Sequence, residues 1–304
     1  MPAGRRAAVA AVVASAACFA TLGILQRWAI EHGAEPMSML AVRFAIAAAV
    51  MAGVQAVRDP RSFRVSWGDL ARFAAMSLSG YGAASLCYAV ANKMIGTPVT
   101  TVLLYTYPAL VSIIGWLFLS QRFPPRRIAA VVLTFAGCAL AAGVLGSNSV
   151  LQPAGVLLGL GAGLGYAVFN VLSFRTMART PRLTLMAYVF AMSAVEMTVA
   201  AGAYGTIGSV LGWDWVAWGS VAVMVAVPTF AALMLYLGGI QRMGAPQAAV
   251  VSTLELPFAV IFAAMAFPLE QLRPVQLLGA AVVLGGVVLA EWGAPAGEVD
   301  AVAV

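Results

Sequence analysis

Apolar residues in this chain do not alternate with polar ones. They gather in long runs cut by short connections, at 7–27, 37–57, 70–92, 97–119, 126–146, 151–174, 182–207, 215–240, 245–267 and 274–292. A bilayer-spanning helix needs about 20 mostly apolar residues, and each run meets that length. Gly, Pro or charge marks the connections: Glu31-His32-Gly33, Arg58-Asp59-Pro60-Arg61, Pro124-Pro125-Arg126-Arg127 and Thr180-Pro181-Arg182. Barrel strands are shorter and alternate, so these runs predict helices. The expected fold is an all-α polytopic membrane protein with ten transmembrane helices. Arg5-Arg6 followed by Ala14-Ser15-Ala16 resembles a leader with a cleavage site, but the apolar run continues to Leu25. That is longer than a leader's apolar core, so the first run reads as a span.

Two stretches of the chain repeat one another. Tyr88, Gly96 and Pro98 reappear as Tyr236, Gly244 and Pro246 at a shift of 148. Pro108, Pro125 and Gly137 reappear as Pro257, Pro274 and Gly286 at a shift of 149. The chain thus divides into residues 1–149 and 150–304, each with five spans. An odd number of spans makes the second copy enter the membrane upside down, so the two form inverted repeats. In a membrane chain such duplication points to a transporter working by alternating access between its halves.

Charge supports a membrane protein and fixes an orientation. The sequence is 62% hydrophobic and 9% charged, whereas soluble domains carry about a quarter charged residues. The net charge is +6. With the N-terminus inside, the inner connections hold Arg5, Arg6, Arg58, Arg61, Arg64, Arg72, Arg122, Arg126, Arg127, Arg175, Arg179, Arg182 and Arg242. The outer ones hold only Arg27, Lys93 and Arg273. This is the positive-inside bias of a plasma (inner) membrane protein with cytoplasmic termini, and it accounts for the basic charge without nucleic acid. The expected partners are the lipid bilayer, a small-molecule substrate and protons.

Polar residues inside the runs mark the candidate site. Ser77, Tyr81, Ser85, Tyr88 and Asn92 fall on one face of the third span, since residues three and four apart share a helix face. The fourth span aligns Thr97, Thr101, Tyr105, Pro108 and Ser112, with Tyr107 near the edge. The sixth aligns Tyr166, Asn170 and Ser173. Lipid tolerates such faces poorly, so they predict an inward-facing aromatic cavity, although each hydroxyl alone also suits helix–helix hydrogen bonding. Tyr105 and Tyr107 lie about 200° apart on a regular helix, so sharing one cavity requires a break. Arg43, Glu196 and Glu255 are ionisable residues within spans, a costly placement that usually carries function. Arg43 is a candidate substrate contact. Glu255, with Glu196 in reserve, is the candidate for proton coupling. Pro98, Pro108, Pro246 and Pro257 are candidate hinges, because proline interrupts helical hydrogen bonding.

Other chemistry finds no support in the residues. Gly155, Gly159 and Gly163 match neither dinucleotide nor P-loop spacing and read as close helix packing. His32 is the single histidine, and Cys18, Cys87 and Cys138 are dispersed in apolar runs, so no metal set, disulfide framework or nucleophile–base pair is expected. The chain reads as a transporter, not an enzyme, and no cofactor is expected.

The ten spans, the 5+5 duplication, the Gly-x-Pro opening spans four and nine, the mid-span prolines and Arg43 together resemble the drug/metabolite transporter superfamily, in particular its EamA-type exporters. The stretch Tyr105-Thr106-Tyr107-Pro108 is similar to the bacterial amino-acid exporters of the YddG type. The resemblance implies export of small metabolites, with aromatic residues lining a central path. The alternatives are exchange of phosphorylated metabolites or nucleotide sugars, and drug export. A diphosphate demands several buried cations, and the interior offers only Arg43.

Overall fold

The computed structural model describes residues 3–119, 124–144, 152–267 and 273–292, which are largely helical and contain no strand. Among the described residues, nine helices are long and apolar enough to span a membrane. They are α1 (Gly4–Glu31), α2 (Pro36–Arg58), α3 (Trp67–Ile95), α4 (Thr97–Phe118), α6 (Pro153–Thr176), α7 (Arg182–Ala203), α8 (Trp215–Met243), α9 (Ala245–Ala266) and α10 (Pro274–Glu291). The helix between α4 and α6, α5 (Pro125–Ala141), has 17 residues. Thus each expected run carries a helix, and the protein is an all-α polytopic membrane protein. Arg122 and the boundary between residues 149 and 150 lie outside the described residues.

Packing follows the duplication. Each of α2 and α5 packs along its counterpart from the other half, α7 and α10. α6 lies against α3 and α4, and α1 lies against α8 and α9, the same arrangement with the halves exchanged. The contacts are close because glycine permits them. A methyl group on Gly137 would sit 2.7 Å from the Val283 backbone nitrogen, and one on Gly286 would sit 3.0 Å from that of Thr134. The α6 glycines behave as read from the sequence. Methyl groups there would meet Ile95 from Gly155, Leu103 from Gly159 and Thr106 from Gly163.

Several helices are interrupted, and the interruptions repeat. Gly80 has non-helical φ/ψ inside a π-helical stretch, Ser77–Tyr81. Pro228 stands 148 residues later inside another, Val225–Ala231. Ahead of them, Ser66 caps α3 by accepting from Asp69 N, and Asp214 caps α8 by accepting from Val216 N and Ala217 N. These caps are also 148 residues apart, and a tryptophan follows each, Trp67 and Trp215. α1 breaks at Thr21, α4 at Tyr105–Thr106 and α9 at Thr253–Leu254. We call the two parts of α4 α4a (Thr97–Leu104) and α4b (Tyr107–Leu119). Those of α9 are α9a (Ala245–Ser252) and α9b (Glu255–Ala266).

The prolines expected to kink helices stand in first turns instead. Pro98 and Pro246 follow Gly96 and Gly244, whose φ values of +78° and +83° favour glycine. Pro108 is the second residue of α4b and Pro257 the third of α9b. A first-turn proline loses no helical hydrogen bond, so each break falls just ahead of its proline.

Candidate transport cavity

Residues of α1, α2, α3, the broken α4, α6 and α9b surround a cavity of about 400 Å3. Its lining includes Arg43, Tyr81, Ser85, Tyr88, Asn92, Tyr105, Tyr107, Tyr166 and Glu255. Nine of the eleven residues expected to bind substrate or couple transport are therefore brought together. The α4 break lets Tyr105 and Tyr107 face one space despite their separation on a regular helix. One end is open: Ile30 there is 47% exposed, and Lys93 pairs with Glu35 at 3.6 Å. The other end is closed, with Arg43, Tyr81, Tyr105 and Tyr107 buried.

Aromatic rings build the closed end. Tyr107 meets Tyr166 edge-on with centroids 4.8 Å apart. Tyr81 contacts Phe44, Phe169 and Phe190 at 5.7, 5.0 and 5.3 Å. Such pairs contribute about 0.5–1.5 kcal/mol each beyond burial, so they help hold this end closed. The tyrosine hydroxyls are committed unequally. Tyr88 shares a hydrogen bond with Thr101 at 3.0 Å. Tyr107 bonds Ser252 and donates to Ala249 O, which joins α4b to α9a.

Two opposite charges share this aromatic space. The Arg43 guanidinium lies 4.9 Å from the Phe44 ring centre and interacts with Tyr81, while its Nε has no hydrogen-bond partner. Glu255 opens α9b, where the helix N-terminus favours a carboxylate, and it interacts with Tyr105. The arrangement offers one cation, one carboxyl and several aromatic faces to a small molecule.

Two expected site residues lie elsewhere. Asn170 is fully buried, accepts from the Tyr236 hydroxyl and donates to Tyr166 O at 2.7 Å. It positions Tyr166 and does not line the cavity. Glu196 accepts from Ser77 Oγ at 2.5 Å and rests on Gly82, away from the cavity. The π-helical stretch takes Ser77 to Ser193 and Glu196, off the face it would share with Tyr81 on a regular helix. Sequence reasoning overlooked Gly80 and Pro228, although a proline within a span signals an interruption. Among the described residues, no group of three or more His, Cys, Asp or Glu could hold a metal ion.

Residues 6–143 and 153–292 each match the EamA-like transporter family. The chain belongs to the EamA-like transporter family. This EamA-like chain is 28% identical over 289 residues to "Uncharacterized transporter YwfM" of Bacillus subtilis (strain 168), covering 91% of both chains. It is 27% identical over 271 residues to "Uncharacterized transporter YcbK" of the same organism, covering 86% of this chain and 85% of the relative. A solved crystal structure superposes on it with a TM-score of 0.78 at 17% identity, covering 93% of this chain and 96% of that one. The last likeness concerns the fold.

Proposed function

We propose that this EamA-like protein is a secondary transporter of the bacterial inner membrane that exports amino acids, preferably aromatic or hydrophobic ones. Residues 1–149 and 150–304 act as inverted repeats that alternate access to the cavity, and both termini face the cytoplasm. The protein moves its substrate and does not transform it. One observation carries the reading: Arg43 and Glu255 line the same tyrosine-walled cavity. Arg43 suits the carboxylate of an amino acid, Glu255 its ammonium group, and the tyrosine rings an apolar side chain. Arg43 is the one cation among the buried lining residues, which argues against a phosphorylated substrate. Glu255 also takes up the coupling proton, and the chain breaks ahead of Pro98, Pro108, Pro246 and Pro257 serve as hinges.

Purified protein in proteoliposomes, offered a panel of radiolabelled amino acids, tests the substrate. Counterflow of phenylalanine, tyrosine or tryptophan is expected, and its absence with transport of sugar phosphates instead would overturn the reading. Single cysteines test the orientation. One near Ser209 should label from outside the cell and one near Pro181 should not.

A further inference from the structure

A second cavity, of about 280 Å3, lies beside the first between α4a, α5, α9b and α10. Thr97, Thr101, Leu256 and Ala259 line both spaces, so the two adjoin across a common wall. Glu255, the residue before Leu256, lines the first cavity only.

The side cavity has the chemistry of an apolar subsite. Its remaining lining is mainly small and apolar, with Ala141, Ala142, Ala263 and Ala264 prominent. Its three polar residues are already engaged. Thr97 donates to Asn92 Oδ1 at 2.8 Å, and Thr101 shares its hydroxyl with Tyr88. Gln276 reaches Ala141 O at 3.5 Å and accepts from Arg273 N at 3.0 Å. No charged side chain lines the space. An apolar cavity of about 150 Å3 already accommodates benzene, so this one has room for an aromatic ring. Its back wall is fixed, because Gly279 of α10 abuts the Ala141 backbone and Gly137 of α5 lies close to Val283.

We infer that this side cavity receives the far end of the substrate's apolar side chain, which runs past the tyrosine rings, while the charged backbone groups stay between Glu255 and Arg43 in the central cavity. The inference rests on the amino-acid reading above and adds a selectivity determinant, the α9b face carrying Ala259 and Ala263. Ala259 lines both cavities, and Ala263, one helical turn further, lines only the side cavity.

The experiment compares transport of tryptophan and alanine by the reconstituted wild-type protein and by Ala263→Phe. The filled subsite should lower the tryptophan-to-alanine ratio of kcat/KM at least tenfold. A ratio within twofold of wild type overturns the inference. Because the larger side chain can disturb folding, Ala263→Cys supplies a second readout in the same vesicles. A small water-soluble thiol reagent should modify it, with tryptophan but not alanine slowing the reaction severalfold. A thiol that is inaccessible because a lipid chain covers it, or equally reactive with and without tryptophan, also overturns the inference. Failure of the wild type to carry any amino acid would instead defeat the underlying functional reading.

Discussion

Glu291, at the end of α10, accepts from Arg5 at the start of α1 at 3.1 Å. Its other oxygen accepts from Gln247 of α9a at 2.7 Å. The Arg5 and Glu291 side chains are only 11% and 9% exposed. This latch ties the first and last helices to a half-helix at the closed end of the cavity. The residue 148 positions before Gln247 is Val99, which has no side-chain donor, so the α4a side lacks the equivalent.

Removing one member of a buried ion pair costs about 3–5 kcal/mol, because the other charge stays buried. Glu291→Ala should therefore lower thermal stability in detergent substantially. The double change Arg5→Met with Glu291→Leu should recover most of it. Unfolding of Glu291→Ala at the wild-type temperature would show that the pair contributes nothing.

Gly137→Ala addresses the α5–α10 seam. The added methyl would lie 2.7 Å from a backbone nitrogen and 2.8 Å from a Val283 methyl. Backbone cannot rotate away, so the helices must separate, at a cost of about 1–3 kcal/mol as for other overpacked sites. Gly23→Ala is the control, since a methyl there meets nothing within 4 Å. Thermal melts of the two variants should differ in that order.

The sequence made the spans legible because apolar length is a local property. It made the Tyr81–Asn92 face and the cavity tyrosines legible because helical spacing fixes a face. It does not show which face meets which neighbour: spacing puts Asn170 on the cavity face with Tyr166, whereas Tyr236 occupies its carbonyl oxygen. Glu196 lies away from the cavity for a related reason. The π-helical stretch beside it shifts Ser77 onto the α7 side, and such stretches leave only faint local signals. Proline positions were legible, but a first-turn proline starts a helix, so the breaks lay upstream.

At the open end, Asp214 holds α8 to the α1–α2 connection through His32 at 2.6 Å. The Ala217 backbone N–H, and then His32, keep its carboxyl below the ordinary aspartate range. The ionised form thus favours the folded state. Its contribution is present above the unfolded value of about 3.9 and is lost as pH falls through the lower folded value. Asp214→Ala should be less stable than wild type at neutral pH, and the difference should shrink below about pH 4. A constant difference down to pH 3 would contradict this assignment.

Glu255→Gln tests coupling. The variant keeps the size and the interaction partner at Tyr105 but cannot carry a proton on and off. Transport should lose its pH dependence while protein abundance stays the same. A pH profile unchanged from wild type would exclude Glu255 as the coupling group, and Glu196→Gln would then be the variant to measure.

The four tyrosines of α3 and α4 divide by what their hydroxyls hold. Tyr107 joins α4b to α9a through Ser252 and Ala249, so Tyr107→Phe should cost stability, about 0.5–1.5 kcal/mol per hydrogen bond lost. Tyr88→Phe releases only Thr101 and should be milder. Tyr81 packs among phenylalanines at the closed end and its hydroxyl meets Arg43, so Tyr81→Phe should keep the packing but loosen Arg43, and Tyr81→Ala should lose both. Tyr105 faces the cavity beside Glu255. Tyr105→Ala should raise KM for an aromatic substrate at least tenfold, because the ring it removes is offered to the substrate, and it should also lower the melting temperature, because that ring is buried in the free protein. Equal KM values for wild type and Tyr105→Ala would leave this ring with packing alone and would weaken the case for an aromatic substrate at the point where the cavity is narrowest in chemistry: a ring, a carboxyl and a guanidinium around one small molecule.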